Sequence, residues 1–315
     1  MIYNYGFIPA DLLRRSSPKK SFTKASKALH ISQPSISKGI KALEEHWNIR
    51  LFDRKGKNVE LTEMGAYLLP RIEGILNDFT ALKEEMESPQ LLNAGKLTVG
   101  VPPMIASSLI SPFIGHFITS YPQIELELTE VGSLDIVSAI DDGLVQVGFV
   151  ALPITTEMPY DFFIFHREPL EIVMPPDHRL AKARELTLDD IKDEPLVYYA
   201  PSFALNPYIH SFYQNIMAHP KIICQSNNWD LQIEMVIARM GIALLPRSIC
   251  QRIPSGKAVH IPLVDPSIYW TLALIWKSKG FLSHPARTWV QSFKDYFKDV
   301  KITIDDESRH KEHDI

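Results

Sequence analysis

The sequence has few cysteines and no long apolar run. Its only cysteines are Cys224 and Cys250, and their spacing fits neither a CxxC motif nor a zinc site. They are either ordinary buried thiols or a redox switch. No apolar stretch approaches the roughly 18 residues that cross a membrane, and the first residues lack the apolar core of a signal peptide. We therefore expect a cytoplasmic protein without a membrane partner.

The familiar motifs of enzymes are also missing. The chain has no GxSxG, HExxH, Walker or GxGxxG pattern, and its 11 histidines are scattered without ligand spacing. His310 and His313 fall in the polar segment 301–315, which its composition predicts to be disordered. The sequence thus predicts no catalysis, no metal site and no cofactor.

Charge is distributed unevenly along the chain. The overall charge of -4 argues against a nucleic-acid partner. However, residues 14–57 hold 12 Lys and Arg against 3 Asp and Glu, a local charge of +9 that leaves -13 for the rest. This asymmetry is typical of a nucleic-acid-binding head on an acidic body.

The basic stretch has the pattern of two short helices joined by a turn. Ser21 and Ser32 are N-cap residues, and Pro34 fits a first helical turn. Apolar residues at helical spacing are Phe22, Ala25, Ala28 and Leu29 in the first helix, and Ile36, Ile40, Leu43 and Trp47 in the second. The pattern predicts that each set is buried and that a helix-turn-helix forms.

The second helix is expected to turn polar and basic residues outward into a DNA major groove. The candidates are Ser32, Gln33, Pro34, Ser35, Ser37, Lys38 and Lys41. Residues 51–61 then predict a two-stranded wing, whose Arg54, Lys55 and Lys57 would contact the adjacent minor groove or the phosphates. The alternative is an amphipathic helix pair with a solvated basic face.

The run from Ser21 to Gly65 resembles the DNA-binding segment of LysR-type transcriptional regulators. The resemblance rests on SFTKAS, SQPSISKGIKALEE, LFDR and LTEMG. It implies sequence-specific binding to double-stranded promoter or operator DNA, control by a small-molecule effector, contact with RNA polymerase, and a homodimer or homotetramer.

Residues 1–20 depart from the family pattern, because Pro9 and the Ser16–Pro18 run interrupt the first helix. We hypothesise that either this helix is short and distorted, or the recorded start or reading frame is shifted. The resemblance resumes abruptly at Ser21.

A long helix is predicted from Thr62 to about Glu87. Its apolar residues recur at threes and fours: Ala66, Leu69, Ile72, Ile75, Leu76, Phe79, Leu82 and Met86. This stripe favours pairing with a second chain, although packing onto its own domain is the alternative. The predicted domains are a winged helix-turn-helix at 1–61, a linker helix and hinge at 62–92, an effector-binding domain at 93–300 and the tail at 301–315.

From Lys96 onward, strands alternate with helices, which predicts parallel βαβ units and an α/β fold. Predicted strands are 97–101, 124–130, 145–150, 170–174, 195–199, 222–225, 242–245 and 270–276, and predicted helices are 109–119, 134–141, 207–217, 230–240 and 284–297. The run RMGIALLP resembles the second of the two lobes in LysR effector domains, which are similar to type 2 periplasmic binding proteins. A solute-binding protein of a transporter is the alternative function, but the basic head and the missing signal peptide argue against it.

A ligand of a two-lobed α/β body is expected between the lobes, near strand ends and helix starts. The candidates are Pro102, Pro103, Met104, Ser107, Ser108, Ala151, Pro153, Ser202, Phe203, Asn227 and Asn228. The three serines are expected near free helix N–H groups, which favours a small carboxylate effector. Pro102 and Pro103 argue against that ligand, because many LysR relatives have hydroxyl residues there. Each candidate could also be an ordinary loop residue.

Overall fold

The computed structural model describes residues 32–55, 58–87, 95–154 and 159–298. Predictions for residues 1–31, for Lys57 at the wing tip, for the hinge residues 88–92 and for the tail fall outside these ranges. The described chain has an α/β fold, with a helix and a hairpin first, a long helix second and a two-lobed body last, as predicted.

The first half of the chain consists of α1 (Gln33–Trp47), β1 (Phe52–Lys55), β2 (Asn58–Leu61), α2 (Glu63–Glu87), β3 (Gly95–Val101), α3 (Pro103–Ile105), the π-helical segment Ala106–Ile110, α4 (Ser111–Ser120), β4 (Ile124–Glu130), α5 (Ser133–Asp141) and β5 (Val147–Leu152). The second half consists of β6 (Tyr160–Met174), β7 (Leu186–Thr187), α6 (Leu188–Ile191), β8 (Pro195–Tyr198), α7 (Leu205–Asn215), β9 (Lys221–Gln225), α8 (Trp229–Ile237), β10 (Ala243–Pro246), α9 (Arg247–Cys250), β11 (Val259–Asp265), β12 (Tyr269–Lys277) and α10 (His284–Tyr296).

Helix α1 begins where the sequence predicts. The Ser32 hydroxyl accepts a hydrogen bond from the Ser35 amide, and Pro34 lies in the first turn. Ile40 is buried on the predicted face, together with Leu51 and Phe52. The prediction that Trp47 is buried is wrong: it is 45% exposed. It lies in the last turn, just before Asn48 ends the helix in a left-handed conformation.

Polar groups join α1, the wing and the long helix α2. One Glu44 carboxylate oxygen accepts from the amides of Leu51 and Phe52, at 2.8 and 3.1 Å. The Thr62 hydroxyl caps α2 by accepting from the Gly65 amide, and it donates to the Arg50 carbonyl. Gly65 lies directly against the Leu51 carbonyl, where a methyl group would collide with it. These contacts fix how the wing leaves α1 and enters α2.

Some apolar residues of helix α2 are packed on the head, and others are exposed. Leu68, Leu69 and Ile72 pack on the core of the head. Met64, Tyr67 and Ile75 lie on another face and are exposed, Ile75 by 65%. Of the predicted stripe, Leu69 and Ile72 pack on the head and Ile75 is exposed, and pairing with a second chain stays a prediction.

The first lobe of the body has a mixed sheet in the order β4-β3-β5-β12-β6. The neighbours of β3 are parallel to it, as the βαβ pattern predicts, whereas β12 is antiparallel to both β5 and β6. Rings from α4, α10, β5 and β6 form an aromatic core, in which Trp289 packs edge-on against Phe113 and Phe117 at 4.8 and 4.6 Å. This packing brings the C-terminal helix back onto the first lobe.

Strand β6 links the lobes. Its first part, Tyr160–Pro169, pairs with β12 in the first lobe, and its second part, Leu170–Met174, pairs with β10 and β11 in the second. The sequence pattern predicts only the second part. The chain crosses back between β11 and β12, where the Leu170 amide bonds to the Ile268 carbonyl.

Three other predictions for the body need correction. Helix α4 lies close to the predicted 109–119, but it continues a helical run that begins earlier, at Pro103, where proline fits the first helical position. Strand β11 is absent from the predicted strands, and β10 and β11 run antiparallel to β6, so the sheet is not purely parallel. Strands β8 and β9 do form the predicted parallel pair.

Candidate functional site

The outer face of α1 presents the predicted DNA-contacting residues. Ser32, Pro34, Ser35, Lys38 and Lys41 are exposed. Ser37 is half-buried, and Gln33 is the first residue of the helix. Lys41 lies 3.5 Å from Glu45 one turn later, in an exposed pair that contributes little to stability. The accessible donors therefore concentrate in the first two turns, which a recognition helix inserts into a groove.

The wing forms as an antiparallel hairpin. Arg54 pairs with Val59 and Lys55 with Asn58, so both basic residues belong to β1 near the turn. Lys57 lies outside the described residues. The hairpin thus places two of the three basic candidates at one end of the head.

Several effector candidates have structural roles. Met104 and Phe203 are buried in the core, and Phe203 stacks on Tyr199 at 5.1 Å. The expectation that Ser107 and Ser108 lie at a helix start is wrong, because the helix begins at Pro103. Both hydroxyls instead donate to the Met104 carbonyl, at 3.4 and 2.6 Å.

Of the remaining effector candidates, some make hydrogen bonds that involve the backbone and others are exposed. Asn228 caps α8 by accepting from the Leu231 amide, and the buried Ala151 donates its amide to the Ser133 hydroxyl. Pro102 is buried, whereas Pro103 and the cis-proline Pro153 are exposed at the ends of β3 and β5. Pro102, Pro103 and Pro153 therefore lie together at the carboxyl ends of two neighbouring strands of the first lobe.

Ser202 and Asn227 come together on the second lobe. The Asn227 side chain donates to the Ser202 hydroxyl at 3.4 Å and accepts from the Ala200 amide at 3.1 Å. Across the cleft, Gly132 approaches Ser202 so closely that a methyl group would lie 2.6 Å from the Ser202 carbonyl oxygen. The lobes therefore touch beside two polar side chains at the end of β8 and the end of β9.

Sequence reasoning missed the first-lobe side of this contact. Gly132 is the N-cap residue of α5 and makes no side-chain cap, and Ser133 is fully buried. The signal that could have found it is the Gly-Ser pair between a strand and a helix, the kind of position at which ligands bind in α/β folds.

A second contact joins the lobes away from Ser202. Arg252 donates from its guanidinium to the Ser108 carbonyl at 3.1 Å, and that guanidinium lies over the Trp229 ring at 5.6 Å. Ser108 belongs to the π-helical segment of the first lobe, and Arg252 follows α9 in the second. Arg252 therefore joins the lobes at a point separate from the contact of Gly132 with Ser202.

Two carboxylates lie on β6 where it passes between the lobes. Glu171 contacts Arg247 at 2.7 Å and His260 at 2.6 Å. Glu168 accepts from the amide and the hydroxyl of Ser248. Burial raises the pKa of Glu168, but the nearby His166 ring and the Ser248 hydrogen bonds outweigh it and hold the pKa below its ordinary value. Glu168 is therefore ionised near neutral pH, at the start of α9.

Within residues 32–55, 58–87, 95–154 and 159–298, no three His, Cys, Asp or Glu side chains are grouped as a metal site would need. None of the helices in those ranges is long and apolar enough to cross a membrane.

Two family models match the chain. Residues 12–66 match the bacterial regulatory helix-turn-helix protein of the lysR family, and residues 91–298 match the LysR substrate binding domain. The first match begins at residue 12, nine residues before the motifs that start at Ser21, and the atypical character of residues 1–20 stays a prediction. The second match covers most of the body.

Known proteins agree with both matches. An uncharacterized HTH-type transcriptional regulator of Bacillus subtilis, YwbI, is 39% identical over 90% of this chain and 93% of its own. A full-length OxyR variant from Pseudomonas aeruginosa has the same fold, with a TM-score of 0.68, 20% identity and 95% coverage of both chains. The effector binding domain of QuiR, solved with shikimate, covers 66% of this chain and all of its own, with a TM-score of 0.59 and 17% identity.

The relatives are regulators rather than enzymes, and a transporter's solute-binding protein is not favoured. The helix, wing and long helix supply the head of such a regulator, and the two-lobed body supplies its effector-binding domain. The chain belongs to the LysR family and is a LysR-type transcriptional regulator.

Proposed function

We propose that α1 reads the operator through the major groove while the wing contacts the flanking backbone or minor groove. The observation that carries this proposal is the exposure of Ser35 and Lys38 on the first two turns of a helix with a capped start. Base edges specify sequence, whereas phosphate contacts add affinity to every sequence. Lys38 would read a base, and Lys55 would contact phosphate.

The test is a salt titration of the full-length protein on the DNA upstream of its own gene and on random DNA. Lys38→Ala should weaken binding to the upstream DNA by about 10-fold or more and leave random DNA nearly unchanged. Lys55→Ala should weaken binding to the upstream DNA and to random DNA equally. It should also reduce the slope of log K against log salt concentration by about one. Lys182→Ala, an exposed lysine in the body, is the control. Equal losses on both DNAs for Lys38→Ala would remove its reading role.

We propose that the effector binds between the lobes and that it is a small carboxylate. The proposal is supported by the Ser202 hydroxyl, the Asn227 amide and the N-terminus of α5 at Gly132, which lie on facing sides of a contact between the lobes. These groups donate hydrogen bonds, and a helix N-terminus favours negative charge. QuiR, whose fold is similar, was solved with shikimate, which carries a carboxylate.

The test is calorimetry with a panel of small carboxylates that includes shikimate, each paired with its methyl ester. We expect one acid to bind and its ester to bind at least about 10-fold more weakly, because the ester removes the charge. Asn227→Ala should weaken binding of that acid, whereas Ser211→Ala, on the exposed side of α7, should leave its binding unchanged. Binding of esters and acids alike would contradict a carboxylate effector.

The exposed face of α2 supports self-association. Met64, Tyr67 and Ile75 lie within one face of the helix and would be covered by the same helix of a second chain. We propose a homodimer through α2, assembled further into a homotetramer through the body. Sedimentation of Ile75→Glu should show a smaller species than the wild type, and an unchanged mass would contradict this interface.

The proposed domain limits remain 1–61, 62–92 and 93–300, with a tail at 301–315. We also propose a cytoplasmic location and RNA polymerase as a partner, both of which the family membership supports. Transcription in vitro from the upstream DNA, with and without the protein, tests the polymerase contact.

A further inference from the structure

Helix α5 connects two parts of the molecule that the proposed regulation must couple. Its N-terminus, at Gly132, touches Ser202 across the effector cleft. Its C-terminus touches the linker helix α2. With nine residues, α5 is about 13 Å long, so it spans the first lobe from the cleft to the linker.

The contact with the linker is made by two glycines. A methyl group on Gly74 of α2 would collide with the Asp142 carbonyl and lie 2.8 Å from the Gly143 Cα. Conversely, a methyl group on Gly143 would lie 2.9 Å from the Gly74 Cα. Arg71, one turn before Gly74, lies 3.8 Å from the Asp142 carboxylate. The linker helix therefore rests directly on the backbone that ends α5.

This end of α5 is firmly built. Gly143 has a positive φ of 72°, which ends the helix, and the Leu144 amide bonds back to the Ala139 carbonyl. Lys277 donates to the Asp141 carbonyl at 2.9 Å, and the Tyr160 hydroxyl donates to the Asp141 carboxylate at 2.5 Å. Strands β6 and β12 thus hold the turn that carries Gly143.

The middle of α5 packs closely on the sheet. Ile136 is fully buried and lies over two glycines of the sheet: a methyl group on Gly100 would meet it at 3.0 Å, and one on Gly148 would collide with it. Close-packed elements move as units because packed interiors deform little. A displacement at the Gly132 end is therefore carried to the Gly143 end.

We propose that α5 transmits effector binding in the cleft to the linker helix. Binding at one end of α5 would change the contact between α2 and the other end. An effector between Gly132 and Ser202 would shift α5 as a unit and alter the contact of Gly74 with Gly143. The linker also carries the DNA-binding head, so this shift would reach the DNA. Coupling of this kind is reciprocal, and a disturbance at the linker must also reach the cleft.

The test measures hydrogen–deuterium exchange of the full-length protein without effector or DNA. Gly132→Ala disturbs the cleft end, and Gly74→Ala disturbs the linker end. The control is Gly115→Ala on α4, where a methyl group meets nothing within 4 Å. We expect Gly132→Ala to speed exchange of residues 68–79 by about threefold or more, and Gly74→Ala to do the same at 131–134 and 199–203, because exchange reports local opening.

Faster exchange confined to each substituted site would overturn the proposal. If Gly132→Ala does not fold, Ser133→Ala removes the acceptor of the Ala151 amide without adding volume, and the same two outcomes apply. The inference rests on the proposed effector cleft. The experiment needs no ligand, so its failure would leave that function standing, and failure of the carboxylate screen would leave the coupling intact.

Discussion

The head and the body of this regulator are held together by different means. In the described part of the head, the buried core comprises Ile40, Leu51 and Phe52, and hydrogen bonds from Glu44 and Thr62 set the geometry. The body has a core that runs through both lobes and includes stacked and edge-on aromatic rings. Among the described residues, polar caps and close backbone contacts set the geometry of the head, whereas apolar burial dominates in the body.

This difference suits the two tasks. The exposed polar residues of α1 suit the proposed contact with DNA. A large core stabilises two lobes strongly enough that a cleft between them can carry polar groups without loss of the fold. Four substitutions test these differences.

The largest effect is expected in the aromatic core of the first lobe. Trp289→Ala removes a fully buried ring that contacts Phe113 and Phe117, and should lower the free energy of unfolding by about 3–5 kcal/mol. Urea denaturation followed by circular dichroism measures it. Tyr296→Ala, at a residue 43% exposed, should cost clearly less. Equal losses would mean that the core does not dominate the stability of the body.

A smaller effect is expected in the head. Gly65→Ala places a methyl group against the Leu51 carbonyl and should destabilise the head by about 2–3 kcal/mol. Amide exchange should rise in residues 51–62 and remain unchanged in the body. Gly39→Ala, where a methyl group meets nothing within 4 Å, is the matched control and should not loosen the head. Exchange that rises throughout the chain would mean that head and body unfold together.

The pH dependence of the body is expected to come partly from Glu168. Its pKa is lower in the folded protein than in the unfolded chain, so its stabilisation is present above about pH 4.3 and is lost as the pH falls through the folded value. Glu168→Gln should cost about 1–2 kcal/mol at pH 7, and the difference from wild type should shrink below about pH 4. Exposed Glu185→Gln is the control. A difference independent of pH would contradict the ionised role.

The smallest effect on the protein is expected from Cys224→Ser, which should change only the reactivity of the thiols. Cys250 is buried, its thiol donates to the Leu245 carbonyl, and burial raises its pKa well above the ordinary value. A thiol kept protonated is a poor nucleophile. Ellman's reagent should therefore label one cysteine of the folded protein, and Cys224→Ser should abolish that labelling. Rapid labelling of Cys250 in the folded chain would contradict this interpretation and favour the redox-switch alternative.

Local signals predict the elements that form from their own residues. The start of α1 at Gln33 follows from Ser32 and Pro34, and β4 spans the predicted 124–130 because its alternation is regular. The first part of β6 escapes prediction, since Asp161, His166 and Glu168 interrupt its apolar pattern. That part is a strand because β12 pairs with it, and such distant pairing leaves little local trace.

The candidate site shows the same limit. Ser202 and Asn227 can be found because polar residues after strand ends are a general feature of α/β clefts. Phe203 is predicted with them, although its ring stacks on Tyr199, a contact that its sequence neighbours do not reveal. Gly132 escapes prediction because its role lies in the absence of a side chain opposite another lobe. The sequence therefore predicts which polar side chains belong to the candidate site better than it predicts where two backbone segments come into contact.

Gly74, which contacts Asp142 and Gly143, lies near the middle of α2. Under the proposed coupling, α2 would pivot at this point. About 16 Å of helix lies between Gly74 and its head end at Glu63, by the ordinary rise of an α-helix. A tilt of about 10° around Gly74 would move the head end by about 3 Å, close to the rise of one base pair. Under the proposed coupling, such a tilt would shift the register of the head on the operator without any residue of the head changing its own contacts.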